Sequence, residues 1–381
     1  MWKLIYISTL LFLSCSNEQQ EDSTEIQVGA QKIQQYIPLL ENKKVGLTVN
    51  HSSVVQGTHL TDTLMSSGID VVKVFTPEHG FSGSLSDGLE VNYDNSNSAF
   101  QLISLYGKNK KPTREQVADL DVMVFDMQDV GARFYTYIST MHYVMEACAE
   151  NRIPMIILDR PNPNGSYVDG PVLDTAFQSF VGMHPIPIVH GMTVGELAMM
   201  INEEGWLKNG VKVDLRIIKV EKWDHSIPYS LPIKPSPNLP DDLSISLYPS
   251  LCLFEGTIMS VGRGTDYAFQ QIGHPEYPDT TNSFTPISRE GAKWPPYEDQ
   301  ICYSESWIGQ KPRYSFSLKP LIEAYQLMNR SDFFNDYFKR LAGTNQLQKQ
   351  IESGMSEEEI RQSWKAEIDQ FKGKRAKYLL Y

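Results

Sequence analysis

Short polar motifs rich in carboxylates, arginines and asparagines follow several apolar segments in the first half of the chain. These motifs are Asn50-His51, Pro77-Glu78-His79-Gly80, Asp126-Met127-Gln128-Asp129 and Asp159-Arg160-Pro161-Asn162. Two carboxylates can together hydrolyse a glycosidic bond, because one protonates the leaving oxygen while the other activates water or attacks the anomeric carbon. Ligand-binding proteins carry the same groups, so this inventory by itself leaves both a glycosidase and a binding protein open.

Several other enzyme classes find no support in the sequence. No glycine-rich turn follows the apolar run at residues 45–49, the first predicted strand, and no GxSxG, HExxH or P-loop motif is present. These absences argue against dehydrogenases, serine hydrolases of that type, metalloproteases and NTPases. No cluster of residues has a convincing metal-ligand spacing, so we expect neither a metal nor another cofactor.

The overall charge excludes a further class of partner. The chain has 381 residues, a formal net charge of −12 and 41% hydrophobic residues, enough to bury a sizeable core. Such a negative charge repels phosphate backbones, so no nucleic-acid partner is expected. An anionic substrate would have to be bound by a few local arginines or lysines.

The polar motifs must be positioned by the apolar segments that precede them. Four continuous apolar runs, at residues 45–49, 71–75, 122–125 and 155–158, are typical of parallel strands buried on both faces. Helical patterns alternate with them, so we predict a Rossmann-like, doubly wound α/β domain over residues 28–205. Ligands of such sheets bind at the carboxyl ends of the strands, where the polar motifs lie.

The sequence changes in character beyond about residue 206, where proline and aromatic residues become dense. We predict a smaller α+β domain over residues 206–381. Its closing helix begins with a capping box formed by Ser356 and Glu359, and Gly373 is predicted to end it.

The first residues predict export and a lipid anchor. Residues 1–14 combine a cation with an apolar run that is too short to span a bilayer, which is typical of a signal peptide. Phe12-Leu13-Ser14-Cys15 resembles the lipobox of bacterial lipoproteins, so we predict lipidation of Cys15, a polar tether over residues 15–27 and a membrane-anchored, periplasm-facing protein. An ordinary secretory signal with a bystander cysteine is the alternative.

Longer motifs point to one family. They include Thr76-Pro77-Glu78-His79-Gly80-Phe81, Ser104-Leu105-Tyr106-Gly107, Asp126-Met127-Gln128-Asp129-Val130-Gly131-Ala132-Arg133-Phe134-Tyr135, His190-Gly191-Met192-Thr193, Pro235-Ser236-Pro237-Asn238, Glu255-Gly256-Thr257 and Gly262-Arg263-Gly264-Thr265. A chain with these motifs resembles the bacterial exo-β-N-acetylmuramidases of the NamZ type, over nearly all of residues 40–381. The resemblance implies a Rossmann-like domain, a smaller second domain, and an active site in the cleft between them. It also implies release of N-acetylmuramic acid (MurNAc) from the non-reducing end of peptidoglycan sugar fragments.

The resemblance implies that Glu78 is the main catalytic carboxylate. We expect His79 to bind the substrate or to orient Glu78. The partner carboxylate is left open between Asp126, which ends a strand, its neighbour Asp129, Glu255 from the second domain, and Glu90.

The substrate itself suggests which residues bind it. MurNAc differs from N-acetylglucosamine (GlcNAc) by a lactyl ether that carries a carboxylate, which a guanidinium matches with two hydrogen bonds. The candidates for that contact are Arg133, Arg160 and Arg263. Tyr135 is expected to stack on the sugar ring, and the remaining candidate binding residues are Asn162, Asn238 and His190. Glu196, by contrast, is predicted to be structural, because Thr193 and Glu196 form a capping box.

Together with the resemblance, these residues predict a lipid-anchored exo-β-N-acetylmuramidase acting on fragments such as MurNAc–GlcNAc in cell-wall recycling. Two alternatives stay open: a non-catalytic lipoprotein that binds muropeptide sugars, and an exo-β-N-acetylglucosaminidase, which would need no arginine at the lactyl position. Ser82, Leu89 and Ile258 depart from the family pattern, and Ser82 and Ile258 leave the fine substrate preference open. A retaining or an inverting mechanism is equally compatible with the sequence.

Overall fold

The computed structural model describes residues 25–78, 80–81 and 99–381. Its strands are β1 (Lys44–Val49), β2 (Val54–Val55), β3 (Thr58–His59), β4 (Asp70–Thr76), β5 (Gln101–Ser104), β6 (Val122–Asp126), β7 (Met155–Leu158), β8 (Asp169–Val172), β9 (Pro187–Val189), β10 (Leu215–Ile218), β11 (Gln271–His274), β12 (Asn282–Phe284) and β13 (Cys302–Ser306). Its helices are α1 (Ile33–Leu40), α2 (Leu60–Ser66), α3 (Arg114–Val117), α4 (Tyr137–Asn151), α5 (Val194–Glu203), α6 (Asp242–Leu251), α7 (Lys319–Met328), α8 (Phe338–Ala342), α9 (Gln346–Glu352) and α10 (Glu357–Arg375). The predicted signal peptide, Cys15, His79 and Glu90 lie outside the described residues.

A parallel sheet forms the centre of the first half of the chain. Among the described residues it has six strands in the order β10-β7-β6-β1-β4-β5. The four predicted strands are confirmed as β1, β4, β6 and β7, and the strand order is that of a Rossmann fold, which reverses between β1 and β6. Strand β10 lies beyond residue 205, so the sheet continues past the boundary predicted for the first domain. This edge strand is only partly buried and therefore lacks the continuous apolar run that marks the others.

The central strands divide their side chains between two hydrophobic cores. Met123 and Phe125 of β6 belong to the core covered by α4 and α5, whereas Val122 and Val124 belong to the core under α1 and α2. Successive side chains of a strand point to opposite faces, so a sheet covered on both sides requires continuous apolar runs. This is why these strands could be predicted from the sequence.

The second half of the chain is a smaller α+β region, as predicted. It contains an antiparallel sheet in the order β11-β13-β12 and helices α6 to α10. Ser356 and Glu359 form the predicted capping box of α10. The predicted end of that helix at Gly373 is wrong, because α10 continues to Arg375. An exposed glycine costs a helix only about 1 kcal/mol, and the basic side chains of the last turn favour the helix C-terminus.

Two further features concern cysteines and membranes. Cys148, Cys252 and Cys302 are buried free thiols. Over the described ranges, no helix is long and apolar enough to cross a membrane.

Candidate active site

A cavity of about 850 Å³ is lined by residues from both halves of the chain. This volume is within the range of roughly 300–1,000 Å³ that is common for small-molecule sites. Aromatic side chains provide much of the wall: Tyr106, Phe134, Tyr135, Tyr137, Phe180, Tyr248, Phe269, Tyr297 and Tyr337. Their apolar faces suit a sugar ring, while carboxylates and cations supply the polar contacts.

Glu78 reaches this cavity from a tight turn after β4. The turn is closed by a hydrogen bond from the amide of Gly80 to the carbonyl of Pro77 at 3.1 Å, and Gly80 has a φ of 70°, which favours glycine. The half-buried Glu78 accepts a hydrogen bond from the hydroxyl of Thr136, the residue that precedes α4, at 3.3 Å. The turn therefore turns the carboxylate out of the sheet and towards the start of α4.

Glu255 enters the same cavity from the second half. It lies on a short 3-10 helix, Cys252–Gly256, that follows α6. Its Oε1 accepts a hydrogen bond from Nε of Arg263 at 2.6 Å, and both side chains are about one-fifth exposed. Glu255 and Arg263 thus form a charged pair in the wall of the cavity.

Tyr337 lies within electrostatic reach of both carboxylates. The surrounding protein raises the pKa of its phenol, first by desolvation and then through the charges of Cys252, Glu255 and Glu78. The hydroxyl therefore stays protonated at neutral pH and can donate a hydrogen bond. Tyr337 was not predicted, because no local pattern marks the residue before the short helix α8.

Asp126 and Arg160 do not line the cavity. Asp126 is 0% and Arg160 is 5% exposed, and the guanidinium donates from Nε to Oδ1 at 2.5 Å and from Nη2 to Oδ2 at 2.9 Å. This geometry disagrees with the predicted catalytic role of Asp126 and the predicted lactyl contact of Arg160. A buried charge has to be compensated, and here each residue compensates the other.

The position of Arg133 also disagrees with its predicted role in substrate binding. It is 0% exposed and donates hydrogen bonds to four backbone carbonyls, those of Pro171, Ile186, Leu341 and Ala342. Burial lowers the pKa of its guanidinium to about 9, so it remains charged at neutral pH. Arg133 thus connects β8 and the segment before β9 to the end of α8, and its side chain is structural.

Asn162 and His190 are buried away from the cavity as well. Asn162 donates to the carbonyl of Met192 at 2.9 Å, and Nδ1 of His190 accepts from the amide of Met192 at 3.2 Å. Nε2 of His190 lies 4.0 Å from a carboxylate oxygen of the buried Asp129. Neither side chain reaches the surface of the cavity, in contrast to the prediction. The predicted structural role of Glu196 is confirmed, because it forms a capping box with Thr193.

Five predicted site residues do meet at the cavity: Glu78, Tyr135, Asn238, Glu255 and Arg263. Tyr135 donates its hydroxyl to the carbonyl of Pro235 at 2.7 Å, which ties its ring to the second half of the chain. Asn238 donates to the carbonyl of Gly291 at 2.8 Å. The residues that line the cavity therefore come from several distant loops, whereas most of the aspartates and arginines that follow the central strands do not line it.

The cavity also contains two cations that sequence reasoning missed, Lys110 and Arg340. Neither lies in a strand-end motif, so the sequence carried no signal for them. Among the described residues, no group of three or more His, Cys, Asp or Glu side chains is arranged to hold a metal ion.

Comparison with known proteins shows the family of the chain. Residues 45–243 match the family model "Exo-beta-N-acetylmuramidase NamZ, N-terminal" and residues 246–381 match the corresponding C-terminal model. The chain is 35% identical to the peptidoglycan β-N-acetylmuramidase NamZ of Bacillus subtilis strain 168, over 96% of this chain and 94% of the relative.

Two solved structures of DUF1343 family proteins from Bacteroides fragilis NCTC 9343 are also similar. One has a TM-score of 0.87 and 43% identity and covers 94% of this chain and 99% of its own. The other has a TM-score of 0.80 and 27% identity and covers 93% and 99%. Both family models and the curated relative agree, and the chain therefore belongs to the NamZ family of exo-β-N-acetylmuramidases, which are glycosidases.

Proposed function

We propose that this protein releases MurNAc from the non-reducing end of peptidoglycan fragments such as MurNAc–GlcNAc, and that it serves cell-wall recycling. One observation carries the proposal: Glu78 and Glu255, from different halves of the chain, line a single cavity with aromatic walls. Two carboxylates beside one sugar site are what hydrolysis of a glycosidic bond requires. Family membership supports the same reaction class.

The surroundings of the two carboxylates suggest which of them acts as the acid and which as the base or nucleophile. Glu255 is held by Arg263 and therefore suits the role of base or nucleophile, which must be negatively charged. Glu78 touches only the neutral hydroxyl of Thr136 among the hydrogen bonds of the described residues, so it suits the role of acid that protonates the leaving oxygen. The protonated hydroxyl of Tyr337 is available to either group or to the sugar.

The decisive experiment compares two disaccharides with the full chain and its variants. Wild type should release MurNAc from MurNAc–GlcNAc and leave GlcNAc–GlcNAc intact. Glu78→Gln and Glu255→Gln should each lower kcat by about 10²- to 10⁴-fold, because each removes an acid or base from the reaction. Glu203→Gln serves as the control, since Glu203 is an exposed carboxylate paired with Lys212.

Other outcomes would redirect the assignment. Cleavage of GlcNAc–GlcNAc at a similar rate would favour an exo-β-N-acetylglucosaminidase. Saturable binding of MurNAc–GlcNAc without any cleavage would favour a sugar-capturing lipoprotein. Full activity in Glu255→Gln would keep the reaction but move the second carboxylate elsewhere.

The membrane anchor is a separate part of the proposal. We propose that Cys15 is acylated and holds the enzyme on a membrane, facing the periplasm, where peptidoglycan fragments arise. Mass spectrometry of the N-terminal peptide from cells tests this directly. A mature protein that lacks acyl chains at Cys15 would contradict it.

A further inference from the structure

Two cations line the cavity without a compensating carboxylate among the described residues. Lys110 and Arg340 both contribute to its wall, and neither forms an ion pair within the part of the chain that the structure describes. The third cation of the wall, Arg263, is bound to Glu255 at 2.6 Å. In a protein with a net charge of −12, two unpaired cations in one cavity are available to a negatively charged ligand.

A tight hairpin in the cavity wall contacts the side chain of Lys110 and the backbone of Arg340. The hairpin is closed by backbone hydrogen bonds between Ser179 and Gly182, at 2.9 and 3.1 Å. The ring of Phe180 lies 4.5 Å from the ammonium group of Lys110, and a side chain at Gly182 would lie 3.5 Å from the carbonyl of Arg340. The hydroxyl of Ser179, also in the cavity wall, is buried and has no hydrogen-bond partner among the described residues.

The backbone that carries Arg340 is firmly held. Arg133 donates to the carbonyls of Leu341 and Ala342, the two residues that follow Arg340 in α8. Asp336 lies near both Lys339 and Arg340, and its pKa is lowered first by Lys339 and less by Arg340. Asp336 is fully exposed and hydrogen-bonded to Lys339 at 3.0 Å, so it does not neutralise Arg340.

We propose that Lys110 and Arg340 bind a carboxylate of the substrate and thereby select a sugar acid over its neutral counterpart. Given the proposed function, on which this inference rests, that carboxylate is the lactyl group of MurNAc. The Ser179 hydroxyl supplies a further hydrogen bond to the same group. This subsite replaces the three arginines predicted for the lactyl contact, because Arg133 and Arg160 form internal contacts and Arg263 pairs with Glu255.

The physical reason lies in charge and geometry. A guanidinium binds a carboxylate with two parallel hydrogen bonds, and an ammonium group adds a mobile point charge. Lys110 already rests against an aromatic ring, which holds its long side chain near the cavity. Each charge-assisted contact should change kcat/KM by roughly 10- to 100-fold.

The test uses the full chain with the 4-nitrophenyl β-glycoside of MurNAc and with the methyl ester of its lactyl group, which removes only the charge. Arg340→Gln and Lys110→Gln should each lower kcat/KM for the acid by roughly 10- to 100-fold and change that for the ester by less than about threefold. Lys339→Gln, on the same helix but paired with Asp336, is the matched control and should match wild type on both substrates.

Equal losses on the acid and the ester, or no loss on either, would overturn the subsite while leaving the proposed function intact. Calorimetric binding of free MurNAc and its methyl ester separates the subsite from the reaction. If wild type hydrolyses neither glycoside but binds MurNAc more tightly than the ester, and this preference disappears in Arg340→Gln, the subsite stands and the proposed function fails. Equal binding of acid and ester by wild type overturns the subsite.

Discussion

Arg160 holds both carboxylate oxygens of Asp126 in a bidentate contact that is closed to solvent. Asp126 ends β6, next to the point at which the strand order of the sheet reverses. In open α/β sheets this point is the usual crevice for a ligand. Here an internal ion pair occupies it, and the cavity forms instead around the loops after β4 and β5 and the residues before α4.

Asp126→Asn should reduce stability more than catalysis. The substitution leaves the guanidinium of Arg160 buried with an uncompensated charge, which costs about 3–5 kcal/mol in free energy of unfolding. Urea denaturation measures this loss, and kcat per folded molecule should stay within about tenfold of wild type. The control Glu203→Gln breaks an exposed pair with Lys212 and should cost less than about 1 kcal/mol. A stable Asp126→Asn protein with no activity would return Asp126 to a catalytic role.

His190 should make the protein less stable in acid. Burial, and then the charges of Arg375, Arg133 and His225, lower its pKa from 6.5 to about 3. The unfolded chain therefore binds a proton that the folded protein does not, so this contribution to stability is complete above about pH 6.5 and is lost as the pH falls towards 3. His190→Asn keeps an acceptor for the amide of Met192. Its free energy of unfolding should fall by about 2 kcal/mol less than that of wild type between about pH 7.5 and 5. Parallel curves for the two proteins would refute this.

Asp129, the neighbour of His190, should have the opposite pH dependence. Burial raises the pKa of its carboxyl from 3.8 to about 7, so the folded protein retains a proton that the unfolded chain releases. Its contribution is present at low pH and is lost as the pH rises from about 4 to 7. Relative to wild type, Asp129→Asn should gain stability over that interval, as measured by urea denaturation at a series of pH values. A difference that does not vary with pH would contradict the assignment.

The hydroxyl of Tyr381 should contribute more to the free energy of unfolding than the hydroxyl of Tyr378. Tyr381 donates to Oδ2 of the buried Asp159 at 2.8 Å and accepts from the amide of Val220 at 2.9 Å. Tyr381→Phe leaves both partners short of a hydrogen bond and should cost about 1–3 kcal/mol in a denaturation experiment. Tyr378→Phe removes a single contact, to the partly exposed Glu204, and should cost about 1 kcal/mol or less. An equal cost for both would mean that the buried contacts add nothing.

Alanine substitutions at two glycines can distinguish the cost of backbone strain from the cost of steric crowding. Gly343 and Gly354 have similar positive φ values, 73° and 79°, but an added Cβ meets the guanidinium of Arg133 at 2.6 Å only at Gly343. Gly354→Ala should therefore cost about 1–2 kcal/mol through strain alone. Gly343→Ala should cost clearly more and should raise KM for the MurNAc glycoside, because Arg133 also holds the helix of Arg340. Equal melting temperatures for the two variants would show that the side chain of Arg133 moves aside at little cost in stability.

The sequence by itself determined the central strands, several helix starts and the position of Glu78. Strands buried on both faces must be continuously apolar, and a capping box such as that of Ser356 is local by nature. Both signals are complete within a few consecutive residues. The same holds for Glu78, which leaves β4 in a turn that Gly80 permits.

Only the tertiary structure decided which charged residues face the cavity. Arg133, Arg160, Arg263 and Arg340 are chemically identical, and no local pattern tells whether a guanidinium will meet carbonyls, an aspartate, a glutamate or open space. That outcome depends on distant partners, such as the end of α8 for Arg133 and β6 for Arg160. A buried charge must be compensated by partners that the fold brings to it, and the two cavity cations that have no ion pair among the described residues are the ones we propose for the substrate carboxylate.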